Sequence, residues 1–186
     1  MASSDEELRW YRYFLSIDEQ LWSTRNYCEI DRTNFSSFSN EYTKIIFAAS
    51  THFEFLAKSY CDKSRIALGK APNMGEMREA ISSHRPGVAT CAISLEHSGL
   101  DIVPLEDWAA AAAAKWWKDY TSLKHDYGAS FRAATQKSAI YSTAACFVMI
   151  LYLFEQDLYA LSPHPKLMSS PILPAYLTTH TRGTLP

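Results

Sequence analysis

Apolar residues in the first part of the chain recur every three to four positions. Leu8, Tyr11, Phe14, Leu15, Leu21 and Trp22 form a stripe that predicts a helix over 5–29. Ser4 precedes Asp5, Glu6 and Glu7, the pattern of an N-cap followed by acids in the first turn. EIDRTNFSS then breaks the period. A second stripe, from Phe38 and Tyr42 through Ile45, Ile46, Ala49, Phe53, Leu56, Ala57 and Tyr60, predicts a helix over 39–62, capped by Ser39 or Asn40. Asn73 and Glu76 have capping-box spacing and open a short helix over 74–84, which Pro86-Gly87 stops.

The period changes to two between 88 and 103. Cys91, Ile93 and Leu95 alternate with polar or small residues, His97-Ser98-Gly99 reads as a turn, and Leu100, Ile102 and Pro104 alternate again. This predicts a small β-hairpin laid against the helices. Six alanines at 109–114 followed by KWWKDYTSLKH predict a helix over 106–125, because alanine is the best helix former. A last helix over 131–158 is apolar all round in its middle, which marks a central position. The expected fold class is all-α: a bundle of four long helices and one short one, with a hairpin insertion at about 88–103. It forms one domain over 1–160, followed by a proline-bearing extended tail over 161–186.

Composition narrows the function classes. Eighteen basic and twenty acidic residues give a net charge of −2, so any RNA contact must come from a local patch. The uncharged run SAIYSTAACFVMILYLF (138–154) is shorter than the roughly 20 apolar residues of a span and opens with hydroxyl residues, which predicts a buried helix and no membrane role. Cys28, Cys61, Cys91 and Cys146 show neither C-x-x-C nor zinc-finger spacing. Together with an N-terminus unlike a signal peptide, they point to a reducing cytoplasm. No Walker motif, G-x-S-x-G or H-E-x-x-H occurs, and no cofactor or metal is expected.

Chemistry-bearing residues concentrate in WWKDYTSLKHDYGASF (116–131). The tryptophans read mainly as packing against the last helix. His125 lies at a helix end, where the dipole and Asp126 favour imidazolium, and can act as an acid or base near neutral pH. The order of helices, with W-x-x-Y-x-x-L-K-H on one and a long apolar helix after it, resembles the HEPN superfamily of bacterial all-α domains. That resemblance implies frequent dimers and roles in phage defence, toxin–antitoxin pairs and RNA processing, with many members being metal-independent RNases. Their motif sets an Arg, then four to six residues, then a His. Here the positions five to seven before His125 are Tyr120, Asp119 and Lys118, and none is Arg. The resemblance therefore carries over His125 as the catalytic candidate, Lys118 or Lys124 as a substitute cation, and Asp119 as an orienting or repelling acid. Three functions are expected on this basis. The first is a helical interaction or regulatory module in defence, as a homodimer or with a partner protein of the defence system. The second is an RNase using His125, and the third is an assembly protein that oligomerises through aromatic surface.

Overall fold

The computed structural model describes residues 4–171. It is predominantly helical with a small three-stranded antiparallel sheet. Helices α1 (Asp5–Ser23), α2 (Asn40–Lys63) and α3 (Met74–His84) precede strands β1 (Ile93–Leu95) and β2 (Leu100–Ile102). Helices α4 (Lys115–His125), α5 (Tyr127–Ser130) and α6 (Gln136–Leu153) follow, and β3 (Met168–Ser169) comes last.

The caps form from local chemistry. Ser4 and Glu7 make a reciprocal capping box at α1, and Ser39 Oγ accepts the Tyr42 N–H at 3.1 Å to start α2. Asn73 caps α3, but the Glu76 carboxylate accepts the Gly69 N–H instead of closing the box. Helix α1 stops at Ser23, short of the expected 29, where a 3₁₀ turn takes over and Arg25 stacks 3.5 Å over Trp22.

Helix α6 is the axis of the core. Every residue along it is buried except Lys137, Tyr141 and Tyr152. Phe147 stacks on Phe14 of α1 at 5.2 Å, and the Cys146 thiol donates to the Ala49 carbonyl of α2 at 3.0 Å. The hydroxyls of Ser142 and Thr143 return to the Ala139 carbonyl, so polar side chains sit in the core with their donors satisfied. Among the described residues no helix is long and apolar enough to cross a membrane.

The alanine run overturns the expected helix over 106–125. Glu106–Ala110 is a 3₁₀ turn, Ala111 takes a left-handed conformation at φ 53°, and α4 begins only at Lys115. Packing outweighs propensity here. Trp108 and Trp116 both meet the ring of Phe53, at 6.0 and 5.0 Å. Eight residues apart on one continuous helix, they would be separated by about 12 Å along its axis. The break folds both indoles onto one ring. Asp107 Oδ2 then accepts the Lys115 N–H at 2.9 Å, capping α4 from eight residues away.

The hairpin pairs Ile93 with Ile102 and Leu95 with Leu100, and Gly99 supplies a positive φ in its turn. A third strand comes from the proline-bearing segment. Met168 and Ser169 pair with Leu95 and Ser94, and Leu161, Leu167 and Met168 are buried. Residues 172–186 lie outside the described residues. Asp18 of α1 holds this segment in place, its Oδ2 accepting the N–H groups of Lys166 at 2.6 Å and Leu167 at 3.2 Å.

Burial shifts two titratable groups in opposite directions. Burial pushes Asp18 up to about 6, and nearby Glu19 pushes the same way against the pull of the two backbone donors and the Lys166 charge. Burial lowers His52 to about 4, although its Nε2–H donates to the Trp10 carbonyl at 3.0 Å. Asp18 contributes stability that is present below its ordinary value and lost as pH rises through 6. His52 contributes stability that is present above its ordinary value and lost as pH falls through 4. Each amounts to up to about 3 kcal/mol. Relative to the wild type, Asp18→Asn should therefore gain stability as pH rises from 4 to 6.5, and His52→Gln should lose it. Urea unfolding across that range reads both slopes, and parallel profiles for the two variants would contradict the assignment.

Candidate functional site

The four sequence-derived candidates all lie on α4, and the structure turns Asp119 inward while Lys118, Lys124 and His125 stay exposed. His125 ends the helix in solvent, with Asp126 as its C-cap. Among the described residues its ring has no hydrogen-bond partner. Lys118 is exposed two turns earlier, about 10 Å away along the axis. Lys124 is also exposed, and its ammonium lies 5.8 Å from the Tyr120 ring centroid.

Asp119 turns inward and is only 7% exposed. One carboxylate oxygen accepts from the Lys115 ammonium one turn back, and the other accepts from the Ser138 hydroxyl. Ser138 belongs to the first turn of α6, where a helix favours negative charge. Thr135 is the N-cap there: its Oγ1 accepts the Ser138 N–H at 3.1 Å and its hydroxyl donates to Ser138 Oγ. The next orphan donors of α6 are taken by the chain preceding α2. Gln136 N–H donates to the Ser37 carbonyl at 2.8 Å and Lys137 N–H to the Phe35 carbonyl at 3.2 Å. Asp119 therefore links α4 to the start of the central helix.

Beside this junction lies a cleft of about 380 Å³. Trp116 forms part of its wall, its Nε1–H donating to the Pro104 carbonyl at 2.9 Å, and Phe35 and Tyr141 supply two further rings. Glu106 and Asp107 line it from the turn before α4, and Arg132 and Lys137 from the segment around the α6 cap. Burial and the charge of Glu106 push the Tyr141 phenol up, while Arg32 pulls it down. Of the four candidates only Asp119 reaches this cleft.

Sequence reasoning missed Glu106, Asp107, Arg132 and Lys137. No local spacing marks them, because the cleft is closed by chain at 35–36, about a hundred residues earlier. The available signal was positional: two cations flank Thr135, a good capping residue, at the start of the most apolar helix.

An exposed aromatic ridge adjoins the cleft. Phe131 meets Phe38 at 5.5 Å and Tyr127 at 5.6 Å, and the Arg132 guanidinium lies 5.3 Å over Phe38. The Tyr127 hydroxyl donates to Asn40 Oδ1 at 2.9 Å, tying α5 to the start of α2.

If Asp119 is a structural link, Asp119→Ala should cost about 2 kcal/mol in denaturant unfolding, since it strands the buried Ser138 hydroxyl. Lys115→Ala, which removes the solvent-exposed partner, should cost less than about 1 kcal/mol. The Asp119→Ala/Ser138→Ala double variant should lose less than the sum of the singles by about 1 kcal/mol; strict additivity would break the link. Comparison of the chain with family models, with curated proteins and with solved structures finds no match in any of the three.

Proposed function

We propose that the chain is a HEPN-like helical interaction module of bacterial defence, self-associating and non-cleaving. The observation that carries this reading is the structural commitment of Asp119, which takes it out of the candidate set on α4. Metal-free RNA cleavage needs a base and a cation within hydrogen-bond reach of one phosphate. Asp119 is engaged by Lys115 and Ser138, and among the described residues no side chain orients the His125 ring as a base. A lysine in place of the motif's arginine also lacks the planar fork that grips a phosphate at two points. The ridge of Phe38, Tyr127 and Phe131 supports self-association, since Phe38 and Tyr127 stay 41% and 47% exposed. The resemblance in 116–127 supports the defence setting.

A second reading, a metal-independent RNase, is favoured by one feature. The solvent-exposed imidazole of His125 is open to a second copy across a two-fold axis. Incubation of labelled RNA in EDTA with the wild type and with His125→Ala separates the two readings. The interaction reading expects intact RNA in both reactions, and a sedimentation profile heavier than one chain. Cleavage by the wild type that His125→Ala abolishes would replace it with the RNase reading, and a strictly monomeric profile would remove self-association.

A further inference from the structure

We propose that Cys28 is a modification site: hydrogen peroxide oxidises its thiol to a sulfenic acid, which the side chains of Gln136 and Tyr42 hold. This inference involves no residue of α4 and stands independently of the reading above.

Cys28 differs from the other three cysteines in access. Cys61, Cys91 and Cys146 are buried, whereas Cys28 is half-buried and lines a cleft of about 580 Å³ together with Tyr27, Ser37, Phe38 and Tyr42. The sulfur also faces a set of polar groups. The Ser37 oxygen lies 3.4 Å from Sγ, and its one proton already goes to the Asn34 carbonyl at 2.6 Å, so the thiol is the donor between the two. Gln136 Nε2 lies 3.5 Å from Sγ. The Tyr42 oxygen accepts from that same amide at 3.1 Å, which leaves its own O–H for the Cys28–Ser37 pair beside it. Burial raises the phenol, against the pull of the Gln136 amide and with the push of Cys28, so it stays protonated and remains a donor.

A second observation comes from Gln136, which is fully buried in the first turn of α6. Its Nε2 donates to the Glu29 carbonyl at 2.9 Å, a partner that only an N–H can face, so the orientation of the carboxamide is fixed. The other end, Oε1, is buried without a hydrogen-bond partner. A buried acceptor with no donor is unfavourable, and it marks a place where a donor is wanted. A thiol cannot serve while it points to Ser37. A sulfenic acid can, because its added hydroxyl donates to Gln136 Oε1 while its oxygen accepts from Tyr42.

The step balances. A sulfur lone pair attacks one peroxide oxygen, the S–O bond forms and the O–O bond breaks. Sulfur loses two electrons and the departing oxygen, taking up the thiol proton, leaves as water. No second cysteine stands near enough to turn the product into a disulfide. Cys146 is ten residues beyond Gln136 on α6 and Cys61 nineteen beyond Tyr42 on α2, about 15 Å and about 28 Å along those helices. Cys91 lies by Tyr152, at the opposite end of α6.

Timed treatment of the full chain with hydrogen peroxide tests the proposal, with sulfenic acid trapped by dimedone and located by peptide mass spectrometry. Cys28 should be labelled at least about tenfold faster than Cys61, Cys91 or Cys146. Access alone would give that result, so lifetime decides. After the peroxide is removed, the sulfenic acid in the folded chain should outlast that in a synthetic peptide of residues 25–31 by about tenfold or more. Tyr42→Phe keeps the ring and removes the O–H, and Gln136→Met keeps the volume and removes the amide. A variant of either kind that melts like the wild type should lose the sulfenic acid about fivefold faster. Labelling of Cys28 no faster than that of the buried cysteines would overturn the proposal. So would a lifetime equal to the peptide's, a folded Tyr42→Phe variant indistinguishable from the wild type, or passage to the sulfinic acid with no sulfenic acid trapped.

Discussion

The burial of α6 on almost every side constrains the rest of the molecule. A helix with no solvent face offers apolar surface in every direction, so each neighbour must bring an apolar stripe to it. Phe14 of α1, Ala49 of α2 and the indoles gathered on Phe53 beside it do so. Its end is harder to bury than its flank, because the first turn carries N–H groups without helical partners. Thr135 and the carbonyls of Phe35 and Ser37 accept those N–H groups, and Asp119 accepts the Ser138 hydroxyl beside them.

That arrangement explains where the cleft lies. Bringing chain 35–37, the turn before α4 and the start of α6 together leaves a hollow where they meet. The structural demand uses up Asp119 and Lys115 and leaves the side chains of Arg132, Lys137 and Glu106 without an ion pair among the described residues. Residues that hold the junction and residues available to a ligand thus lie side by side with distinct partners. His125, at the far end of α4, belongs to neither group.

Elements set by neighbours in sequence were legible. Ser4 and Ser39 cap where local spacing put them, the alternation around Ile93 forms a strand, and the run at 138–154 is a core helix. Elements set by distant partners were not. Six alanines read as helix because nothing local says that Trp108 and Trp116 must share Phe53. β3 is two residues long and depends on Ser94 and Leu95, far earlier in the chain. Asp119 looks like part of a catalytic cluster with Lys118 and His125 until Ser138, nineteen residues later, is placed against it. The cleft's charged residues carry no motif, and only the fold brings them together.

Amide hydrogen exchange along α6 tests the central claim most directly. If the helix start is closed by Thr135, Asp119 and chain 35–37, the amides of residues 136–139 should open only with the global unfolding of the protein, as slowly as those around Cys146. Fast exchange at 136–139 beside a protected helix centre would mean that the end frays in solution, and that the junction positioning the cleft is not a fixed part of the fold.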